Sequence, residues 1–220
     1  MSPELNTPLL KDDKSDGKTW CKICGITEPA HAELCSDLGV DAIGFAFVNE
    51  SPRFIDFALA KEVALAARTE RVGLFVNPEP SWVEAAIASA ELTMLQFNGD
   101  ESPSFCEQFG LPYLRAVQMQ AGVDVTAIAE QFETAKALLL DTYSAEARGG
   151  TGLRFDWNLW PQNVALPLIL AGGLNSENVS RAILELSPSG VDVSGGVEVE
   201  KGKKDPGLIE SFVREVKNVD

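Results

Sequence analysis

The chain has 220 residues, of which 45% are hydrophobic and 23% charged, and 18 Lys and Arg against 33 Asp and Glu give a formal net charge of −15. That balance suits a soluble globular domain, and a chain of this length buries a full core without disulfides or a structural metal. The acidic surface argues against a nucleic-acid partner, whose phosphates it would repel, and no apolar run reaches the roughly 18 residues of a membrane span. The polar, acidic stretch 1–17 carries no secretory signal, so a cytoplasmic protein is expected. Nothing marks an obligate interface, and a monomer is expected.

Residues 1–18 form a polar, Asp/Lys/Ser-rich leader without periodicity, expected to be poorly ordered, and residues 19–220 carry the fold. From there, short apolar or β-branched runs read as buried parallel strands at 19–24, 42–48, 71–76, 93–97, 113–117, 137–141, 166–171 and 190–194. Stretches with helical spacing lie between and after them, at 29–38, 57–68, 82–90, 123–134, 177–186 and 208–216. Pro29 and Pro206 mark helix first turns, where a missing N–H does no harm, and Asn175 is placed to cap the helix that follows. Eight strand-helix units in one chain of this size predict an α/β fold of one domain, a (β/α)8 TIM barrel. The rival is a doubly wound open sheet, which usually opens with a Gly-rich dinucleotide turn; Cys24-Gly25-Ile26-Thr27 is not one.

Cys21, Cys24, Cys35 and Cys106 are too few and too unevenly spaced for a disulfide framework. Cys21 and Cys24 lie three apart on a strand, so their sulfurs point to opposite faces and form neither a redox pair nor half a zinc site. His31 is the only histidine and falls within a helix. Acid–base chemistry therefore rests with Cys, Asp, Glu, Lys or Tyr, without a metal.

In a barrel the chemistry gathers where strands end. The first strand ends with Lys22 and Cys24 on one face, and the lysine charge favours the thiolate. The second leads to Ser51-Pro52-Arg53, a stiff turn that suits carboxylate binding. The fourth ends in Gln96-Phe97-Asn98-Gly99-Asp100-Glu101. The sixth ends Leu140-Asp141, a carboxyl at the edge of an apolar barrel, where burial would raise its pKa and make it a general acid. The seventh and eighth end in Gly172-Gly173 and Ser194-Gly195-Gly196, small residues that let backbone N–H groups approach a phosphate.

At these residues the sequence resembles the phosphoribosylanthranilate isomerase family, cofactor-free isomerases of tryptophan biosynthesis, from about Lys18 to the C-terminus. The likeness rests on Lys22-Ile23-Cys24-Gly25-Ile26-Thr27, Gly44-Phe45 with Ser51-Pro52-Arg53, and Leu95-Gln96 with Asn98-Gly99-Asp100-Glu101. It continues through Asp141, Gly149-Gly150-Thr151-Gly152, Phe155-Asp156-Trp157, Leu170-Ala171-Gly172-Gly173-Leu174 and Glu177-Asn178-Val179. Val191-Asp192-Val193-Ser194, Gly196-Val197-Glu198 and Lys204-Asp205 complete it.

The resemblance implies an Amadori rearrangement of an aminoaldose phosphate to an aminoketose phosphate. It implies Asp141 as the acid that protonates the ribose ring oxygen and Cys24 as the base that removes the C2 proton. Arg53 would bind the anthranilate carboxylate, with Lys22, Asn98 and Asp192 near the substrate. Backbone donors at Gly172, Gly173, Ser194 and Gly195 would hold the phosphate. Asn98 stands where the family usually has His, and Gly195 where a second Ser is usual, which puts fine tuning in question. Two alternatives share the phosphate cradle: another phosphosugar barrel enzyme, or a barrel that binds phosphosugars without turnover.

Overall fold

The computed structural model describes residues 18–142 and 157–219. Eight parallel strands close into a barrel in sequence order. They are β1 (Trp20–Cys24), β2 (Ala42–Ala46), β3 (Glu70–Phe75), β4 (Met94–Phe97), β5 (Tyr113–Met119), β6 (Ala137–Thr142), β7 (Leu168–Leu170) and β8 (Gly190–Val193). The last strand pairs with the first, Lys22 opposite Asp192. Around them lie α1 (Pro29–Asp37), α2 (Phe57–Ala66), α3 (Pro80–Ala90), α4 (Pro103–Glu107), α5 (Val125–Gln131), α6 (Val179–Leu186) and α7 (Pro206–Lys217).

Two of the three expected helix starts are built as the sequence implies. Pro29 and Pro206 each open a helix, and Asp56, Asp124 and Asp205 accept from Leu59, Ala127 and Leu208 N–H groups at 2.9, 3.0 and 2.9 Å. Each such cap contributes about 1 kcal/mol.

Four features depart from expectation. Asn175 does not cap α6: its Oδ1 accepts from Glu177 N–H at 2.9 Å, inside a turn that delays the helix to Val179. Asn178 closes that turn, accepting from Asn175 N–H and donating to Gly173 O, both at 2.9 Å. The short α4 and a hairpin of β9 (Glu198–Glu200) with β10 (Lys203–Lys204) are additional elements. Between β6 and β7 the described residues, 157–167, hold a 3-10 turn, Trp157–Leu159. Residues 1–17 of the leader, and Gly149 to Asp156 of the resemblance, lie outside the described residues; Lys18 pairs with Asp41 at 3.2 Å.

Strand alternation sorts the residues into two cores. Outward-facing Ile23, Ile43, Phe45, Phe75, Phe97 and Leu138 pack against the helices. Inward-facing Trp20, Ala42, Val72, Met94, Leu114, Leu139 and Ile169 fill the barrel as a separate cluster. Gly190 makes room for Trp20 there, since a side chain at Gly190 would come within 3.0 Å of the indole. Continuing inward-facing series by twos, toward the strand ends, leads from this apolar floor to the polar residues: Trp20 to Lys22 to Cys24, Met94 to Gln96 to Asn98, Leu139 to Asp141, Gly190 to Asp192 to Ser194.

Candidate active site

Lys22 is fully buried, and its ammonium donates to Asp192 Oδ1 at 2.8 Å. Burial alone would pull this lysine down, but the charges of Asp192 and Cys24 outweigh it and hold the ammonium protonated. Cys24 stands one inward step above, 6% exposed. A side chain at Gly44 on β2 would lie 2.9 Å from the Cys24 sulfur and 3.2 Å from Lys22 Cε, so glycine there gives both groups their space. Burial pushes the thiol up, while Lys22 and Lys204 draw it back by their charge.

Asp141 faces inward at the end of β6. Burial, with a smaller push from Asp192, raises its carboxyl to about 6, against the opposing hydrogen bond from Thr142 N–H at 2.7 Å. It lines one pocket with Ala171, Gly172, Gly173, Asp192, Ser194 and Gly195, which unites the acid with both Gly-rich strand ends. Gly195 and Gly196 open a 3-10 turn, Gly195–Val197, whose first N–H groups have no acceptor within the turn. Gly196 is fixed by sterics: a side chain there would collide with Leu174 O. Ser194 Oγ donates to Cys24 O at 3.0 Å, tying the eighth strand end to the first.

Arg53 sits across the Cys24 strand end on the loop after β2, 6% exposed, with its N–H held by Ser51 Oγ at 3.1 Å. Its Cδ packs where a Gly25 side chain would be, at 2.6 Å. Its Nε and Nη2 each donate to Glu198, at 2.7 Å. Although burial pushes Glu198 up, Arg53 and Lys204 pull it down to about 2, so the carboxylate stays ionised. Asn98 follows the end of β4, where its Oδ1 accepts from Gln96 Nε2 at 3.0 Å. The loop beyond it is fastened by Arg115, which donates to Glu101 Oε2 at 2.9 Å and to Gly99 O at 2.7 Å.

The sequence-derived residues Cys24, Lys22, Asp192, Asp141, Gly172, Gly173, Ser194, Gly195 and Arg53 therefore meet at one barrel end. Glu198 and Lys204 were visible only as parts of the resemblance, with no role. Glu198 finds Arg53 145 residues away along the chain, a pairing that no local pattern encodes, while Lys204 finds Glu198 and Ser194 within ten residues through the hairpin fold. Cys21 and Cys24 are both buried and form no disulfide, and Cys21 belongs to the outer core.

Among the described residues, no helix is long and apolar enough to cross a membrane.

Residues 21–215 match the family model of N-(5'-phosphoribosyl)anthranilate isomerase. The chain is 48% identical over 197 residues to the N-(5'-phosphoribosyl)anthranilate isomerase of Nitrosospira multiformis, covering 89% of this chain and 95% of that protein. It is 47% identical over 199 residues to that of Nitrosomonas eutropha, covering 90% and 96%. The crystal structure of phosphoribosyl anthranilate isomerase from Thermotoga maritima superposes with a TM-score of 0.82 at 34% identity, covering 91% of this chain and 99% of that one. A further crystal structure of such an isomerase, in complex with reduced 1-(o-carboxyphenylamino)-1-deoxyribulose 5-phosphate, gives 0.79 at 33% identity, covering 91% and 99%. With its barrel closed and the strand ends furnished as described, the chain belongs to the N-(5'-phosphoribosyl)anthranilate isomerase family.

Proposed function

We propose that the enzyme converts N-(5'-phosphoribosyl)anthranilate to 1-(2-carboxyphenylamino)-1-deoxyribulose 5-phosphate, by general acid–base catalysis at Asp141 and Cys24. The observation that carries this reading is the single pocket lined by Asp141 and by both Gly-rich strand ends. A carboxyl raised to about 6 keeps a proton available near neutrality, which an ordinary carboxyl does not.

Asp141 gives that proton to the ribose ring oxygen, the C1–O bond breaks, and the amine lone pair forms the Schiff base. The Cys24 thiolate then takes the C2 proton, leaving an enolamine. Transfer of the enol proton to C1 completes the ketone, so C2 is oxidised and C1 reduced with no external electron carrier. Lys22 favours the thiolate and holds Asp192 in line beside the sugar. Arg53, aimed by Glu198, meets the aryl carboxylate, and backbone N–H groups at Gly172, Gly173, Ser194 and Gly195 meet the phosphate. Asn98 lies on the substrate side of β4.

The test follows fluorescence loss of substrate generated in situ. Cys24→Ala and Asp141→Asn should each lower kcat by about 10²–10⁴-fold and still bind a reduced product analogue. Near-wild-type turnover would remove that residue from its role. Binding without any turnover by the wild type would favour a phosphosugar-binding barrel instead. We also take the chain to act in the cytoplasm as a monomer. In support, the exposed large apolar side chains among the described residues, Leu65, Leu184 and Val199, lie one each on α2, α6 and β9. A single monomer mass by light scattering is the expected result.

A further inference from the structure

Lys204 ends the β9–β10 hairpin and is only 4% exposed. Its ammonium donates to Glu198 Oε1 at 2.7 Å, to Ser194 O at 3.0 Å and to Ser194 Oγ at 3.2 Å. Glu198 is already satisfied by Arg53, which donates to both carboxylate oxygens at 2.7 Å, and Gly202 N–H adds a bond to Oε2 at 3.1 Å. One carboxylate thus lies between two buried cations. Neutralising Glu198 does not require the second of them, and a buried ammonium is costly to desolvate. What Lys204 adds is its pair of bonds to Ser194, at the start of the strand-eight loop.

The hairpin reaches the other side of the site as well. Its turn residue Gly202, at φ +90°, packs so closely on the Arg53 loop that a side chain would come within 2.5 Å of Pro52 O. At Gly195 a side chain would stand 3.6 Å from Arg53 Nη2, so the strand-eight loop and the guanidinium are neighbours. A continuous polar chain therefore runs from Ser194 through Lys204 and Glu198 to Arg53.

We propose that Lys204 is a positioning residue that sets the spacing between the two anion-binding ends of the site, the strand-eight loop and Arg53. This rests on the reading above, in which the loop takes phosphate and Arg53 the aryl carboxylate. Two anions on one molecule profit from a matched spacing, because binding of the first raises the effective concentration of the second. Separate anions gain nothing from it.

The experiment measures Kd for three probes, inorganic phosphate, anthranilate and the reduced product that carries both anions, on wild type, Lys204→Met and Lys204→Arg. Lys204→Met should weaken the two-anion analogue by about 10–100-fold and each single anion by less than about threefold, with KM for substrate rising in step. Lys204→Arg, which keeps a cation for both partners, should recover part of that loss. An analogue loss no larger than the product of the two single-anion losses overturns the proposal, and so does loss of all three probes together with a lowered Tm. If Lys204→Met does not fold, Glu198→Gln loosens the same chain, and the same comparison decides. A wild type that binds the single anions but not competitively with substrate refutes instead the reading of Arg53 and the loops.

Discussion

Gly172→Ala adds one methyl group and removes no functional group, yet it should cripple turnover. Gly172 lies at φ +84°, and a Cβ there would come within 2.7 Å of Thr142 N and 2.9 Å of Asp141 Oδ1, and closer still to Thr142 Oγ1. The left-handed backbone costs a residue with a side chain about 1–2 kcal/mol, and the crowding of Thr142 backbone adds about 1–3 kcal/mol. For a chain of this size the total, roughly 2–5 kcal/mol, lowers Tm by about 5–15 °C. Relief of the clash must move the Asp141–Thr142 strand end, and a displacement of about 1 Å at a reacting group costs about 10²-fold in rate. Gly110 supplies the control. It sits at φ +67° with nothing within 4 Å of its would-be Cβ, so Gly110→Ala carries the backbone strain without the clash. Thermal melts beside the fluorescence turnover assay should show both variants destabilised, Gly172→Ala more, and only Gly172→Ala slowed by about 10²-fold in kcat. A kcat within about threefold of wild type for Gly172→Ala, or an equal loss in Gly110→Ala, would refute the claim that Asp141 is positioned by the bare strand-seven end.

Two further perturbations test charge. At the opposite end of the barrel, burial and the nearby Asp41 charge raise Glu70 to about 7, with a hydrogen bond from Trp20 opposing. The folded state therefore holds this proton more tightly than the unfolded chain does, so the group's effect on stability worsens as pH rises from about 4.5 to about 7 and then levels off. Glu70→Gln should accordingly be more stable than wild type at pH 8.5, by something of the order of 1–2 kcal/mol for this partly exposed group, with the gap shrinking toward pH 4.5. Urea melts at pH 5 and 8.5 that give the same difference would discard it. Asn98→His puts an ionisable ring at the β4 exit, and its positive form should draw the acid limb of kcat/KM to lower pH. Superimposable limbs would reduce residue 98 to its hydrogen bond with Gln96.

The barrel was legible because its strands are buried on both faces and read as continuous apolar runs. All eight expected strands agree with the observed ones to within two residues at either end, as in 113–117 against Tyr113–Met119. Their ends also named the candidate residues that the fold brings together, since in a barrel the inward-facing strand ends converge. What escaped was whatever local pattern does not encode. The five residues of α4 are too few to display a helical period, and the β9–β10 hairpin, Glu-Val-Glu against Lys-Lys, lacks an apolar face to announce it. Asn175 and Asn178 are equally good caps by residue type, and only the turn geometry assigned each its bond. Arg53 looked like a free anion binder, whereas two of its donors are committed to Glu198, a pairing that exists only once β2 and the hairpin are folded together.

Burial at the barrel mouth pushes both members of the proposed proton-transfer pair upward, with opposite consequences. For Asp141 the shift from 3.8 to about 6 raises the protonated fraction at pH 7 from roughly 10⁻³ to about one in ten. For Cys24 the same desolvation makes the thiolate a stronger base and a rarer one. Something must offset that scarcity, and Lys22 alone does so incompletely, because Asp192, its own partner, pushes the thiol back up. The cluster beyond the strand end adds to Lys22, since Lys204 also draws the thiol down by its charge, yet burial still leaves the thiol raised. In the proposed roles the same ammonium spaces the two anion-binding ends, through its bonds to Ser194 and Glu198. On that reading thiol activation and anion spacing share Lys204, so Lys204→Met should raise KM and shift the acid limb of kcat/KM upward together, and a KM rise with an unmoved limb would separate the two.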